Sequence, residues 1–187
     1  MTLQETVAQF TAAARKVGAE VHESAGLETV VDYIATRAGG ALVCPDFPSG
    51  ARCGIGARLR AAGVEVVDGE FRSRAPAAAA GLTGANFAIA ATGTVVLEST
   101  AEPVRLATTL PLRHFVLLDP GKIVADSRAA VPMLRQLHER LPQAFLAYIT
   151  GPSRTADIER VLTIGVHGPK ELHILLCAGV SADLLES

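Results

Sequence analysis

Residues 75–97 read APAAAAGLTGANFAIAATGTVVL, a run without one charged side chain. Its length alone would suffice for a membrane span. Its make-up argues otherwise. Pro76, Gly81, Gly84, Asn86 and Gly93 interrupt it, and much of its hydrophobicity comes from Ala. We read it as a buried loop–strand–turn–strand segment, with strands over 87–90 and 94–97 and a hairpin turn at Thr92-Gly93. Uncharged strands of this kind belong inside a layered protein, covered on both faces.

The flanks agree with that reading. Leu3, Val7, Phe10, Ala14 and Val17 recur at helical spacing among polar residues, and Gly18 is a plausible stop. The pattern repeats over 28–38, with Leu27, Val30, Val31 and Ile34 on one side and Gly39-Gly40 at the end. A short strand is expected over 41–44, a loop over 45–50, a helix over 53–62 and a strand over 64–67. The polar stretch 69–76 carries Arg72 and Arg74. Beyond the uncharged run, a strand over 114–118 meets a turn signal, Asp119-Pro120-Gly121-Lys122. A helix over 126–140, irregular at Pro132, a strand over 144–149, a short helix over 156–162 and a closing strand over 172–177 complete the pattern. Helices alternate with short apolar strands around a hairpin-rich centre. The expected fold is α/β: a mainly parallel layered sheet with antiparallel additions and helices on both faces. Residues 1–187 are expected to form one domain, with 1–40 as a helical N-terminal segment and 41–187 as the α/β core.

Composition narrows the function classes. A formal charge of −2 gives no electrostatic case for nucleic acid. Cys44, Cys53 and Cys177 are odd in number and widely spaced, which fits neither a disulfide framework nor an iron–sulfur cluster, and suits a reducing cytoplasm. Cys44 and Cys177 read as small buried hydrophobes. The N-terminal residues lack the basic region and apolar run of a signal peptide. No His, Cys and carboxylate set has metal-ligand spacing, and no Walker loop or dinucleotide fingerprint is present.

Two clusters in the last third carry the residue types of chemistry. Gly151-Pro152-Ser153-Arg154-Thr155-Ala156-Asp157-Ile158-Glu159 is followed by Gly165-Val166-His167-Gly168-Pro169. Ser153 and Thr155 suit a cap for a helix beginning near Ala156, leaving backbone amides to face an anion. Arg154 has the fork for a carboxylate or phosphate. His167 is the best acid/base candidate, and a contact with Asp157, which the spacing does not itself show, would orient its ring. Open α/β sheets bind ligands beyond the carboxyl ends of their strands, and these segments, with Thr92-Gly93-Thr94, are expected at such ends. A common pocket is expected there, with Thr92, Gly93, Thr94, Gly151, Ser153, Arg154, Thr155 and Gly168 binding the ligand and His167 and Asp157 in catalytic roles. Each element also has a plain explanation: a helix cap, a satisfied histidine, a turn.

The same clusters, with Gly81-Leu82-Thr83-Gly84-Ala85-Asn86-Phe87-Ala88-Ile89-Ala90-Ala91-Thr92-Gly93-Thr94-Val95-Val96-Leu97, resemble the signature of the LUD-domain family, in its lactate utilization C-type branch. The resemblance covers roughly residues 80–178. It implies a sheet similar to that of sugar-phosphate isomerases, glucosamine-phosphate deaminases and coenzyme A transferases. It also implies a role as the cluster-free subunit of a bacterial system that oxidises L-lactate to pyruvate. Such a subunit holds no cofactor of its own, works beside iron–sulfur partner subunits, and binds a small carboxylate or phosphate. One position departs from the family pattern: Ala91 stands where members often carry Glu. Glu98, at a strand end, is a conceivable substitute by analogy with the Glu nucleophile of coenzyme A transferases. The simpler reading makes Glu98 and Glu102 solvated loop carboxylates. A stand-alone isomerase- or transferase-like enzyme and a non-catalytic scaffold are the alternatives.

Overall fold

The computed structural model describes residues 1–141, 143–155 and 163–186. The chain opens with helix α1 (Leu3–Lys16). Thr2 accepts a hydrogen bond from the Glu5 amide while Glu5 accepts one from the Thr2 amide, a reciprocal cap that fixes where the helix starts. Strand β1 (Glu20–Ser24), α2 (Leu27–Arg37) and β2 (Leu42–Val43) follow. Then come α3 (Pro48–Cys53), α4 (Ile55–Ala61), β3 (Val66–Val67) and α5 (Phe71–Arg74). The uncharged run supplies β4 (Ala80–Gly84), β5 (Phe87–Ile89) and most of β6 (Thr94–Glu98), every residue of which is buried. Helix α6 (Glu102–Thr109) leads to β7 (Arg113–Leu118) and β8 (Ile123–Val124). Helix α7 (Val131–Arg140), β9 (Leu146–Ile149), β10 (Arg154–Thr155), β11 (Thr163–Ile164) and β12 (Glu171–Cys177) complete the order.

Six strands form one parallel sheet in the order β1-β12-β7-β4-β2-β3. A second sheet, β8-β5-β6-β9, is mostly antiparallel and contains the expected hairpin, with Phe87 opposite Val96 and Ile89 opposite Thr94. The chain leaves the parallel sheet after β4, builds this hairpin, and returns through α6 to β7.

Alternation along the central strands sets the layers. Phe115 and Leu117 of β7, with Leu175 and Cys177 of β12, pack against Val30, Val31 and Ile34 of α2 and Leu59 of α4. Their alternates Val116, Leu118, Ile174 and Leu176 pack against Phe10 and Ala14 of α1 and against Ala88, Val95 and Leu97 of the second sheet. The far side of that sheet, through Phe87, Ile89 and Val96, is covered by Leu137 of α7 and by Leu184, downstream of β12. Helices therefore cover one face of the parallel sheet. The other face is shared by α1 and the second sheet.

Several expectations shift. The segment 1–40 is not wholly helical, because Glu20–Ser24 is an edge strand on β12. Only Val21 of that strand is buried, and an edge strand facing water carries little apolar signal. β4 replaces the loop expected at the start of the uncharged run. Its two glycines lower strand propensity, but its place between β2 and β7 overrides that. The helix expected over 53–62 is α4, and a separate helix, α3, takes up the end of the loop expected over 45–50; the two are divided at Gly54, whose φ is 62°. Helix α7 begins at Val131 because Pro132 belongs in a first turn, where its missing N–H is no loss. The helix expected over 156–162 lies outside the described residues. Cys44 and Cys177 are buried and unbridged as expected, and burial pushes the Cys44 thiol up to about 12.

Candidate functional site

Strand β9 ends at Ile149, and the chain turns at Thr150-Gly151-Pro152 beside the C-terminal end of α1. Gly151 has φ 75°, and a Cβ there would lie 2.3 Å from the Val17 carbonyl oxygen. The turn at Thr92-Gly93 docks on the same helix. Gly93 has φ 66°, and a Cβ would fall 2.3 Å from the Ala14 amide nitrogen. Only glycine satisfies both the backbone angle and the close approach at these two turns. Arg154 completes the dock, its Nη2 donating to the Val17 carbonyl at 2.5 Å.

The two C-terminal clusters are bound to each other through the main chain. The Ser153 amide donates to the Pro169 carbonyl at 2.9 Å, and the Gly165 amide donates to the Ser153 carbonyl at 2.9 Å. β10 and β11 pair antiparallel beyond them. This arrangement opens a cleft of about 310 Å³. Its lining includes Thr150, Ser153, His167 and Gly168 from the two clusters, and Thr108, Thr109, His114 and Tyr148 from elsewhere. A volume at the lower end of the ligand-pocket range suits a small molecule.

Its position corrects one expectation. His114 and Leu172 are the second residues of β7 and β12, so the cleft faces the amino ends of the parallel strands, not their carboxyl ends. The expected common pocket forms from two of its three segments. Thr92-Gly93-Thr94 does not line the cleft but reaches it through hydroxyls: Thr92 Oγ1 is 2.6 Å from Thr94 Oγ1, which is 2.8 Å from Thr150 Oγ1.

The electrostatics are also unlike the anion cradle expected. The Ser153 amide is already satisfied by a carbonyl, and Arg154 is turned toward α1 and is not among the lining residues. Thr155 lies in β10, and Asp157, with the helix it was to open, lies outside the described residues. His167 is exposed at the rim. His114 is fully buried, its Nε2 2.9 Å from Thr83 Oγ1. Burial first, and the neighbouring His173 second, push it down to about 3, so it stands neutral in the cleft wall. The chemistry on offer among the described residues is a set of hydroxyls and neutral hydrogen-bonding groups beside one exposed imidazole.

Sequence reasoning missed Thr108 and Thr109, and it read His114 as a surface or satisfied residue and did not place it in the site. The threonines sit at the end of α6, whose start is signalled by Glu102-Pro103 in the first turn. His114 is the first fully buried residue of β7, which its neighbour Arg113, ion-paired with Glu171 at 2.8 Å, disguises as surface. Glu98 is not a solvated loop carboxylate. It is buried at the end of β6, and its Oε1 accepts hydrogen bonds from the Thr100 amide and hydroxyl. Glu102 does pair with exposed Arg72 at the surface. Among the described residues no three His, Cys, Asp or Glu side chains converge as a metal site, and no helix is long and apolar enough to cross a membrane.

The LUD domain profile matches residues 7–177, from the middle of α1 to the last residue of β12. The chain belongs to the LUD domain family. An uncharacterized protein of Neisseria meningitidis serogroup B is 41% identical over 97 residues, covering 51% of this chain and 41% of its own length. Lactate utilization protein C of Anoxybacillus flavithermus is 33% identical over 147 residues, covering 76% of this chain and 65% of its own. That of Shouchella clausii is 32% identical over 154 residues, covering 79% and 67%. The LUD chain thus spans between two fifths and two thirds of the length of these relatives. The crystal structure of a DUF162 family protein from Deinococcus radiodurans superposes with a TM-score of 0.67 at 22% identity, over 95% of this chain and 99% of that one, which establishes the shared fold.

Proposed function

We infer that this LUD-domain chain is a component of a bacterial lactate utilization system that binds a small carboxylate in the cleft. The observation that carries the reading is the meeting of the two C-terminal clusters, main chain to main chain, around one cavity. The relatives named lactate utilization protein C supply the pathway. In this reading Thr150, Ser153 and Gly168 contact the ligand. Thr92, Gly93, Thr94, Gly151, Arg154 and Thr155 hold the two loops in place, and His167 carries a proton at the rim. Asp157 is the proposed orienting partner of His167. The chain works without a cluster of its own, beside iron–sulfur subunits in the cytoplasm, a compartment that suits its three free cysteines.

The test is calorimetric titration of the purified chain with L-lactate, pyruvate, phosphate and sugar phosphates. A carboxylate signal abolished by Ser153→Ala and His167→Ala is the expected result. A sugar-phosphate signal accompanied by turnover would replace the reading with a stand-alone enzyme. Silence from folded protein across the panel would overturn carboxylate binding and leave a scaffold.

A further inference from the structure

The carboxyl end of the parallel sheet, opposite the cleft, holds a second site of different character. After β12 the chain turns and runs back across the strand ends. Arg52 Nη2 donates to Ser181 Oγ at 3.0 Å, and Asn86 Nδ2 donates to the Leu184 carbonyl at 2.7 Å. Arg140 pairs with Asp183 at 3.0 Å. This segment delivers Glu186 into the interior, where its side chain is 0% exposed.

Glu186 Oε1 accepts a hydrogen bond from Lys122 Nζ at 2.9 Å. Its Oε2 accepts two more, from Ser49 Oγ at 2.7 Å and from the Ser49 amide at 2.9 Å. The donors are themselves buried, Ser49 at 1% exposure and Lys122 at 6%. Behind the carboxylate lies Gly84, the last residue of β4, where a Cβ would stand 2.8 Å from Oε2. Three donor groups from two separate parts of the chain therefore aim at one carboxylate. The adjacent strand end leaves room for it, and the receiving groups come from outside the segment that carries it, although Lys122 Nζ also donates to that segment's Asp183 carbonyl at 3.2 Å. They lie where open α/β sheets hold their ligands, beyond the carboxyl ends of parallel strands. A buried ammonium needs a counter-charge, so a departing Glu186 would leave a cavity that demands an anion.

We propose that Ser49, Lys122 and Gly84 form a receptor for a small free carboxylate, which Glu186 fills in cis, so that the free acid and the segment after β12 exclude each other. Tethering gives Glu186 a high effective concentration, and a free acid must outcompete it. The site is distinct from the cleft, being buried, charged and gated by the chain's own carboxylate.

Propionate reproduces the Glu side chain from Cβ outward and is the probe. The full chain and Glu186→Gln are titrated with sodium propionate against sodium chloride at equal ionic strength. Calorimetry reads binding, and hydrogen exchange reads the amides of residues 178–186. Glu186→Gln is expected to bind propionate at least about tenfold more tightly than the unaltered chain, because the internal competitor is weakened. Ser49→Ala in that background is expected to abolish the gain in affinity. In the unaltered chain, propionate is expected to accelerate exchange over 178–186. Equal affinity in the two chains, or binding indifferent to Ser49→Ala, overturns the proposal. Should Glu186→Gln fail to fold, the unaltered chain decides alone: exchange quickened by propionate and not by chloride supports the site, and unchanged exchange removes it.

Discussion

The two ends of the parallel sheet solve opposite problems. At the amino end, the cleft is open and hydroxyl-lined, with one neutral buried histidine and one exposed histidine. At the carboxyl end, Lys122, Ser49 and Glu186 are enclosed, charged and mutually satisfied. The end that looks richest in sequence, with its Gly, Pro, Ser, Arg, Asp and His, has little fixed charge among the described residues of its walls. The end that looks plain holds a buried ion pair. Motif density thus marks where backbone is shaped, as Gly93 and Gly151 are against α1. The strongest electrostatics arise where residues distant in sequence meet.

The sharpest way to break this contrast is to remove one basic group from each end. Lys122→Met leaves the Glu186 carboxylate buried without its counter-ion. It should destabilise the fold by about 3–5 kcal/mol in urea unfolding, with much of the loss recovered when Glu186→Leu is added. A smaller effect belongs to His114 at the cleft. Its folded value near 3 lies below the ordinary 6.5. Between those values the unfolded chain binds the extra proton, so stability rises with pH through this window. It is fully present above pH 6.5 and is lost progressively as pH falls toward 3. Unfolding at pH 7.5 and pH 5 should therefore differ by about 2 kcal/mol from this group, a difference that His114→Gln removes. If the mutant retains the full pH slope, His114 is not the group responsible.

These contrasts also explain what could be read from sequence. Local pattern was enough for the hairpin, where Phe87–Ile89 and Thr94–Glu98 flank a glycine turn, and for α1, which buries Phe10 and Ala14 of the apolar residues at helical spacing. It also sufficed to bring the clusters around Ser153 and His167 together. It was not enough for β1, whose outward residues are polar because it is an edge, or for β4, whose glycines are tolerated only because neighbouring strands bury it. Arg154 was legible as a functional type but not in direction, since its partner is a main-chain oxygen of α1, 137 positions away. The Glu186 site was invisible for the same reason. Ser49, Lys122 and Glu186 form no sequence pattern, and only the return of the chain over the strand ends unites them.

Two smaller substitutions sharpen the account of the cleft. Arg154→Ala should cost about 1 kcal/mol, the worth of its bond to the Val17 carbonyl, by loosening the dock between α1 and the turn at Gly151. His167→Ala should change stability by less than about 0.5 kcal/mol, because an exposed rim residue loses little on truncation. That small value separates two roles. If His167 is a proton carrier for a bound acid, the alanine variant unfolds at the same urea concentration as the unaltered chain and still loses calorimetric binding of the carboxylate. If its ring instead props the 165–169 loop against Ser153, where a Cβ added to Gly168 would stand 3.2 Å from the Ser153 hydroxyl oxygen, unfolding and binding fall together. His167→Gln, which keeps the bulk and a hydrogen-bonding end but cannot carry the proton, would then restore both.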